Sequence, residues 1–362
     1  MRDWIIKYRI SLLLFTFTLT YLALSLFDKD LFVKFYWFWG FSLVLALFIM
    51  SFSKEYPKAF NVAIIGFSKT GKTTLLTVLI NEILIGKFKN LRVMLKGDST
   101  IVKVQENMKK LRDGIPVGAT TDETKFAYRT NITVGKTFLN RRNYKVEFGD
   151  FPGERSSEFS KPTSSWLKNT EFFNWAIEAD AYIFAIDVSI CFIPEAYFPY
   201  SLNDVCMHYR TAWMQITDNR INEIKKLRRS PLLLVFTKSD IFYSTYKNNP
   251  NSFDNELFNK SRIARINYIQ ENNLFDNLLK YSGMTEQPVI PTNLMEELKV
   301  DFDRLYMNLL RTIVESDFNE LISFFLSENK NTKLVFTSAF LNEENSSKLG
   351  FKNILSHLIP SE

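Results

Sequence analysis

The sequence is poor in the residues that build metal centres and nucleophilic triads. It holds two histidines, His208 and His357, too few for a histidine metal cage and a poor basis for a serine–histidine–aspartate triad. It holds two cysteines, Cys191 and Cys206, without metal-ligand spacing, which reads as ordinary thiols of a reducing compartment. Long Lys/Arg runs are absent and the net charge is a modest +6 over 362 residues. Nucleic acid is therefore not an expected partner, and a basic surface facing anionic lipid is the better reading. No internal repeat is evident. No small-residue cleavage site follows the first apolar run, and a second such run comes after it, so a cleaved signal peptide is excluded.

What is present begins with those two runs. Residues 10–27 and 35–53 carry no charge, and at ~1.5 Å rise per residue each spans roughly the ~30 Å hydrocarbon thickness of a bilayer. Asp28-Lys29-Asp30 lies between them, and Tyr36, Trp37 and Trp39 sit beside that turn as an interfacial aromatic belt. The expectation is a transmembrane helical hairpin over 1–53. Arg2, Lys7 and Arg9 precede it and Lys54 and Lys58 follow it, which places both termini and everything after residue 54 in the cytoplasm.

The rest of the chain is organised around Gly66-Phe67-Ser68-Lys69-Thr70-Gly71-Lys72-Thr73, the pattern G-x-x-x-x-G-K-[ST]. It stands between an apolar run over 59–65, readable as a buried strand, and an apolar-periodic helix over 74–85. A helix start after a glycine-rich turn aims unpaired N–H groups at an anion. Gly66, Ser68, Lys69, Thr70, Gly71, Lys72, Thr73 and Thr74 are thus the expected phosphate cradle. Lys72 is expected on the β- and γ-phosphates and the Thr73 hydroxyl on Mg²⁺.

Two further motifs end apolar strands. The strand over 144–148 runs into Asp150-Phe151-Pro152-Gly153-Glu154, where Asp150 is expected to hold Mg²⁺ through water and Gly153 to follow the γ-phosphate. The strand over 232–236 runs into Thr237-Lys238-Ser239-Asp240, in which a carboxylate can accept from the two donors on the edge of guanine. Adenine offers no such pair. The strand over 334–336 ends in Thr337-Ser338-Ala339, where Ser338 and Ala339 are expected to offer a backbone N–H to the guanine oxygen.

With these four segments in order, residues 60–340 resemble the P-loop GTPases of the translation-factor and Ras-like class. The resemblance implies GTP and GDP as ligands, Mg²⁺ as cofactor, and a switch read by a protein effector or activating partner. It implies a catalytic set of Lys72, Gly153, Glu154 and a threonine of the first switch loop, with Thr120 and Thr121 both available and Thr121 the preferred choice for the metal. Two departures stand out. Thr237 replaces the commoner asparagine, and Glu154 stands where many relatives carry glutamine or histidine, so a carboxylate faces the γ-phosphate and hydrolysis is expected to be slow.

The expected fold is α/β, a doubly wound, mostly parallel sheet over 54–362 with helical insertions near 88–113 and 241–330. Further strands are expected over 91–96, 125–139 and 181–190, and helices over 98–112, 204–227, 261–279 and 293–326. Residues 192–200 read either as an aromatic contact for partner or lipid, or as core. Two other functions remain open: a GTP-binding membrane scaffold that does not hydrolyse, and a dynamin-like remodelling GTPase, which needs a long helical stalk.

Overall fold

The computed structural model describes residues 18–19, 40, 44, 60–67, 69–85, 91–95, 98–113, 117, 126–134, 142–150, 171–243, 261–271, 304–341 and 347–358. The chain divides into two compact units, Met1–Pro57 and Lys58–Glu362. In the first unit Thr18, Leu19, Gly40 and Val44 are helical. The other residues of both apolar runs lie outside the described set. Among the described residues no helix is long and apolar enough to cross a membrane.

In the second unit seven strands form one sheet: β1 (Phe60–Ile65), β2 (Leu91–Leu95), β3 (Phe126–Val134), β4 (Arg142–Asp150), β5 (Ala181–Asp187), β6 (Leu232–Thr237) and β7 (Thr332–Phe336). Their order is β2-β3-β4-β1-β5-β6-β7. The strands from β4 to β7 in that order run parallel, and β3 runs against both β2 and β4.

The sheet is covered on both faces because its central strands are apolar on both. Every residue of β5 and β6 is buried. Alternation sends Tyr182, Phe184 and Ile186 of β5 to one face and Ala181, Ile183 and Ala185 to the other. The alanine side shares its core with α1 (Lys72–Leu84), α2 (Asp98–Arg112) and α9 (Phe351–Leu358). The bulkier side packs with α3 (Glu171–Glu178), α4 (Leu202–Asn219), α6 (Arg262–Glu271), α7 (Arg304–Asp317) and α8 (Asn319–Glu328). There Phe184 lies 4.7 Å from Phe325 and Tyr182 meets Trp213 edge-on at 5.3 Å.

Several expected boundaries move, each for a local reason. The strand expected over 181–190 stops at Asp187, whose carboxylate accepts from the Ser189 N–H at 2.9 Å and caps a 3-10 turn. The helix expected over 204–227 starts earlier, at a capping box between Ser201 and Asp204. It ends at Asn219 because Arg220 leaves helical geometry and donates to the carbonyls of Ile177 and Ala179 at 2.9 and 2.8 Å. A four-residue helix, α5 (Ile224–Leu227), follows. The stretch expected as one helix over 293–326 is two over its described part, broken where Phe318 adopts φ −107° and ψ 17°.

Both of those helices are core elements. Tyr306, Leu310, Ile313, Val314, Phe318, Leu321 and Phe325 are fully buried against the sheet, so they are the crossover between parallel strands β6 and β7 and not a protruding stalk. The aromatic stretch 192–200 also belongs to the core: Phe192, Ile193, Phe198 and Tyr200 are buried, and Tyr197 is exposed.

Candidate functional site

The parallel strands all end at one edge of the sheet. In register, Ala63 pairs with Gly149 and Asp187 with Thr237, so the segments that follow β1, β5 and β6 leave side by side, with Asp150 at the end of β4 next to them. Crevices outside the carboxyl ends of such strands are where open α/β sheets bind ligands.

The loop from Gly66 to Thr73 joins β1 to α1 tightly. A Cβ at Gly66 would stand 2.9 Å from both the Ala185 carbonyl oxygen and Thr70 Oγ1, so only glycine fits there. Lys69 at φ 63° and Gly71 at φ 81° turn the chain through the left-handed region, which is unusual for the lysine. The Thr70 hydroxyl, almost wholly buried, donates to the Phe67 carbonyl at 2.9 Å. Helix α1 starts at Lys72, two residues before the expected Thr74, with Gly71 as N-cap, no side-chain cap and no acidic residue in its first turn. Its N-terminal N–H groups therefore carry a positive field that no side chain of its own first turn neutralises. Thr73 and Thr74 are half-buried in that turn. Lys72 Nζ folds back and donates to the carbonyls of Gly66 at 2.8 Å and Phe67 at 2.7 Å.

The loop is braced from behind by aromatic rings. Phe67 stacks on Tyr200 at 4.3 Å and lies 4.7 Å from His208. The buried Tyr209 hydroxyl accepts the Phe67 N–H and donates to the Ala185 carbonyl at 2.5 Å, fixing the loop to β5. Burial holds His208 neutral, its pKa lowered to about 3, so it takes part as a ring and not as a cation.

The Thr237–Asp240 segment is locked to this loop. Thr237 Oγ1 lies 2.7 Å from the Thr70 carbonyl and 3.1 Å from that of Ile186; its single proton goes to the nearer one. Lys238 adopts φ 56° and pairs with buried Asp187 at 2.6 Å, while the other Asp187 oxygen is held by Ser189. Ser239 N–H donates to the Thr337 carbonyl at 3.1 Å, which joins this segment to the one after β7.

Asp240 lies at the centre. It is 3% exposed, the Ser338 hydroxyl and its own N–H hydrogen-bond to the carboxyl group, and Oδ2 has no hydrogen-bond partner among the described residues. Burial pushes its pKa from 3.8 up to about 7, against the opposing pull of those hydrogen bonds and of the charges on Lys348 and Lys238. A buried acceptor without a donor is costly, by about 1–3 kcal/mol, and is removed when a ligand supplies one. Ser338 also accepts from the N–H groups of Phe340 and Leu341 at 3.0 and 2.9 Å, and Ala339 packs partly buried on the sheet core.

The edge thus gathers Gly66, Lys69, Thr70, Gly71, Lys72, Thr73, Thr74, Asp150, Thr237, Lys238, Asp240, Ser338 and Ala339. Of Asp150 only the backbone is described, and Ser68, Thr120, Thr121, Gly153 and Glu154 lie outside the described residues. Among the described residues no group of three His, Cys, Asp or Glu converges on one point. Asp187 and Tyr209 are site residues that sequence reasoning missed. An acid closing the apolar strand `AYIFAID` was a usable signal for Asp187 alone. A nucleoside polyphosphate fits what is there: a glycine a Cβ would clash with, a cationic loop at a helix start, and an acceptor for a base edge.

The chain matches no protein-family model and no curated protein. Among solved structures it is similar to the GTPase-like domain of S. cerevisiae Ski7 bound to GDP and inorganic phosphate, at 14% identity and TM-score 0.34, over 86% of this chain and 51% of that one. It is similar to the same domain bound to GTP at 16% identity and TM-score 0.27, over 75% and 52%. The chain spans about half the length of those structures.

Proposed function

We propose that this protein is a membrane-anchored, Mg²⁺-dependent GTPase that works as a switch. The observation that carries the guanine reading is Asp240, a buried carboxyl whose Oδ2 has no donor among the described residues, set on a segment hydrogen-bonded to the phosphate loop. Guanine offers two adjacent N–H donors on the edge such an acceptor meets. The phosphates go to the N-terminus of α1 and to Lys72, whose ammonium is held by two loop carbonyls, weaker partners than phosphate oxygens.

In the proposed reaction a water oxygen bonds to the γ-phosphorus as the bond to the β–γ bridging oxygen breaks. The electron pair leaves on GDP, and phosphate and a proton are released. Mg²⁺ would be held by Thr73, by Asp150 through water and by Thr121, and would neutralise charge on the β- and γ-phosphates. Segments 114–124 and 150–160 are the proposed switch loops, read by an effector or activating protein. Residues 10–27 and 35–53 are the proposed anchor, with both termini and the GTPase domain cytoplasmic.

Purified full-length protein should bind GTP at least tenfold more tightly than ATP and release phosphate over several turnovers. Equal affinity for the two nucleotides would sink the guanine assignment. Glu154 favours one rival, a GTP-bound scaffold that does not turn over, because a carboxylate beside the γ-phosphate repels it. Single-turnover hydrolysis separates them: Glu154→Gln should be at least as fast as wild type if Glu154 only repels, and should lose most activity if Glu154 positions the water. For the anchor, Lys29→Cys should react with an impermeant thiol reagent on intact cells and Trp4→Cys should not; the reverse labelling would overturn the topology.

A further inference from the structure

Helix α5 and the turn after it carry the run Lys225-Lys226-Leu227-Arg228-Arg229. Leu227 is fully buried and fixes the run, while the four charged side chains around it are exposed. The turn before β7 adds Lys330, and Lys333 is the second residue of β7; both are exposed. The two turns form one surface. Lys330 N–H donates to the Arg228 carbonyl at 3.1 Å, and Asn331 Nδ2 donates to the Arg229 carbonyl at 3.2 Å. Buried Asn329 donates to the carbonyls of Leu227 and Ser230, each at 3.0 Å. The surface lies where β6 and β7 start, at the edge of the sheet opposite the candidate site.

The acids held against these turns are already paired. Asp180 meets Lys226 at 3.8 Å, Glu328 meets Arg228 at 3.9 Å, and Glu223 is taken by Arg220 at 2.6 Å. Lys225, Arg229, Lys330 and Lys333 have no ion pair among the described residues. The 3-10 turn that leads into α5 exposes Ile221, at 67%, beside the same run. An exposed apolar residue among clustered cations suits the boundary between water and anionic headgroups. The chain also enters the sheet here. Asn61 N–H donates to Asp180 Oδ2 at 3.3 Å, and the Asp180 N–H donates to the Asn61 carbonyl at 2.8 Å. The acid that meets Lys226 therefore ties down the start of β1 as well. β1 begins at Phe60, and the second apolar run ends at residue 53. The chain between them reaches at most about 25 Å when extended.

We propose that this edge, with Lys225, Lys226, Arg228, Arg229, Lys330 and Lys333, is a docking surface for an anionic phospholipid leaflet. The inference rests on the membrane-anchored reading above. The attraction acts within a Debye length, about 10 Å at 0.1 M salt, and the short tether keeps the edge in reach of the headgroups. β6 runs from Leu232 to Thr237, about 17 Å at the rise of a strand, so docking leaves the candidate site facing away from the lipid.

The test is labelling of full-length protein by a membrane-impermeant amine reagent, read lysine by lysine by mass spectrometry. The protein is held in vesicles of phosphatidylcholine, with or without phosphatidylserine. At about 0.1 M salt the anionic vesicles should lower labelling of Lys225, Lys226, Lys330 and Lys333 by about threefold or more, and high salt should restore it. Lys109 and Lys110, exposed on α2, should label equally in both vesicles. The double variant Lys225→Glu, Arg229→Glu changes two exposed side chains and should keep the wild-type unfolding temperature. It should lose most of the protection at Lys330 and Lys333. Equal labelling of the four lysines in both vesicles, equal protection of Lys109 and Lys110, or a double variant as protected as wild type overturns the proposal. Protection by an RNA oligonucleotide and none by phosphatidylserine would assign the edge to nucleic acid and overturn it too. Protein that washes off both kinds of vesicle at high salt would instead remove the anchor itself.

Discussion

The hydroxyl of Thr237 donates to the carbonyl of Thr70 at 2.7 Å, across 167 residues of sequence. One proton thus joins the segment after β6 to the glycine-rich loop after β1. Threonine at this position, where asparagine is commoner in the GTPases the sequence resembles, keeps the donor that the link needs. Thr237→Val preserves shape and removes the proton, leaving the Thr70 carbonyl unpaired in a buried place. It should cost about 1–3 kcal/mol in stability by chemical denaturation. GDP affinity should fall as well, because base and phosphate are no longer held in one geometry. Thr237→Ser should restore both.

Asp240→Asn turns an acceptor into a group that also donates. It should weaken GDP and strengthen xanthosine diphosphate, whose base presents a carbonyl where guanine presents an amine. Competition binding of the two nucleotides to the two proteins reads this directly; a variant that lost both equally would point to misfolding of the pocket.

The proton on Asp240 makes a separate prediction. Its folded pKa of about 7 exceeds the ordinary 3.8, so the folded, nucleotide-free protein retains a proton that the unfolded chain has lost. This group therefore favours folding most at low pH, and that contribution is lost as pH rises through about 7. The groups facing it are Lys238, Lys348, the Ser338 hydroxyl and Tyr306, whose own hydroxyl donates to the Ser239 carbonyl at 2.9 Å. Guanine donors favour the carboxylate, so GDP binding at pH 6 should expel nearly a full proton. Calorimetry in buffers of different ionisation enthalpy should find that proton in wild type and miss it in Asp240→Asn.

Lys72→Ala should abolish GDP binding, since the loop then meets the phosphates with backbone dipoles alone. Its effect on the fold should be small: the Phe67 carbonyl keeps the Thr70 hydroxyl as a donor at 2.9 Å, and Gly66 is only half-buried. Thermal unfolding without nucleotide should separate the two effects.

The helices between β6 and β7 are held by a buried ion pair, Arg265 to Asp317 at 2.6 Å, with side chains 1% and 6% exposed. Arg265→Ala leaves the Asp317 carboxylate buried without its cation and should cost about 3–5 kcal/mol. The double variant Arg265→Met, Asp317→Leu should recover most of that. Equilibrium unfolding of the three proteins is the check.

Much of the fold was legible in the sequence because its signals are local. Apolar runs such as `AYIFAID` and `LLLVFT`, short and rich in β-branched and aromatic residues, read as strands buried on both faces, and helical periods between them imply parallel pairing with crossovers. The glycine-rich loop after β1 and the Thr237–Asp240 segment after β6 were legible as local patterns too, because each is a run of residues adjacent in the chain, and the sheet brings both to one edge. Boundaries were not: the end of the helix at Asn219 is set by Arg220, whose partners, the carbonyls of Ile177 and Ala179, come within reach only in the folded state. Nor could the sequence place Glu82 against Lys348 or Tyr209 against Phe67. Such pairs join residues more than a hundred positions apart, and only the register of the sheet, with a helix layer on each face, brings them within the reach of a hydrogen bond.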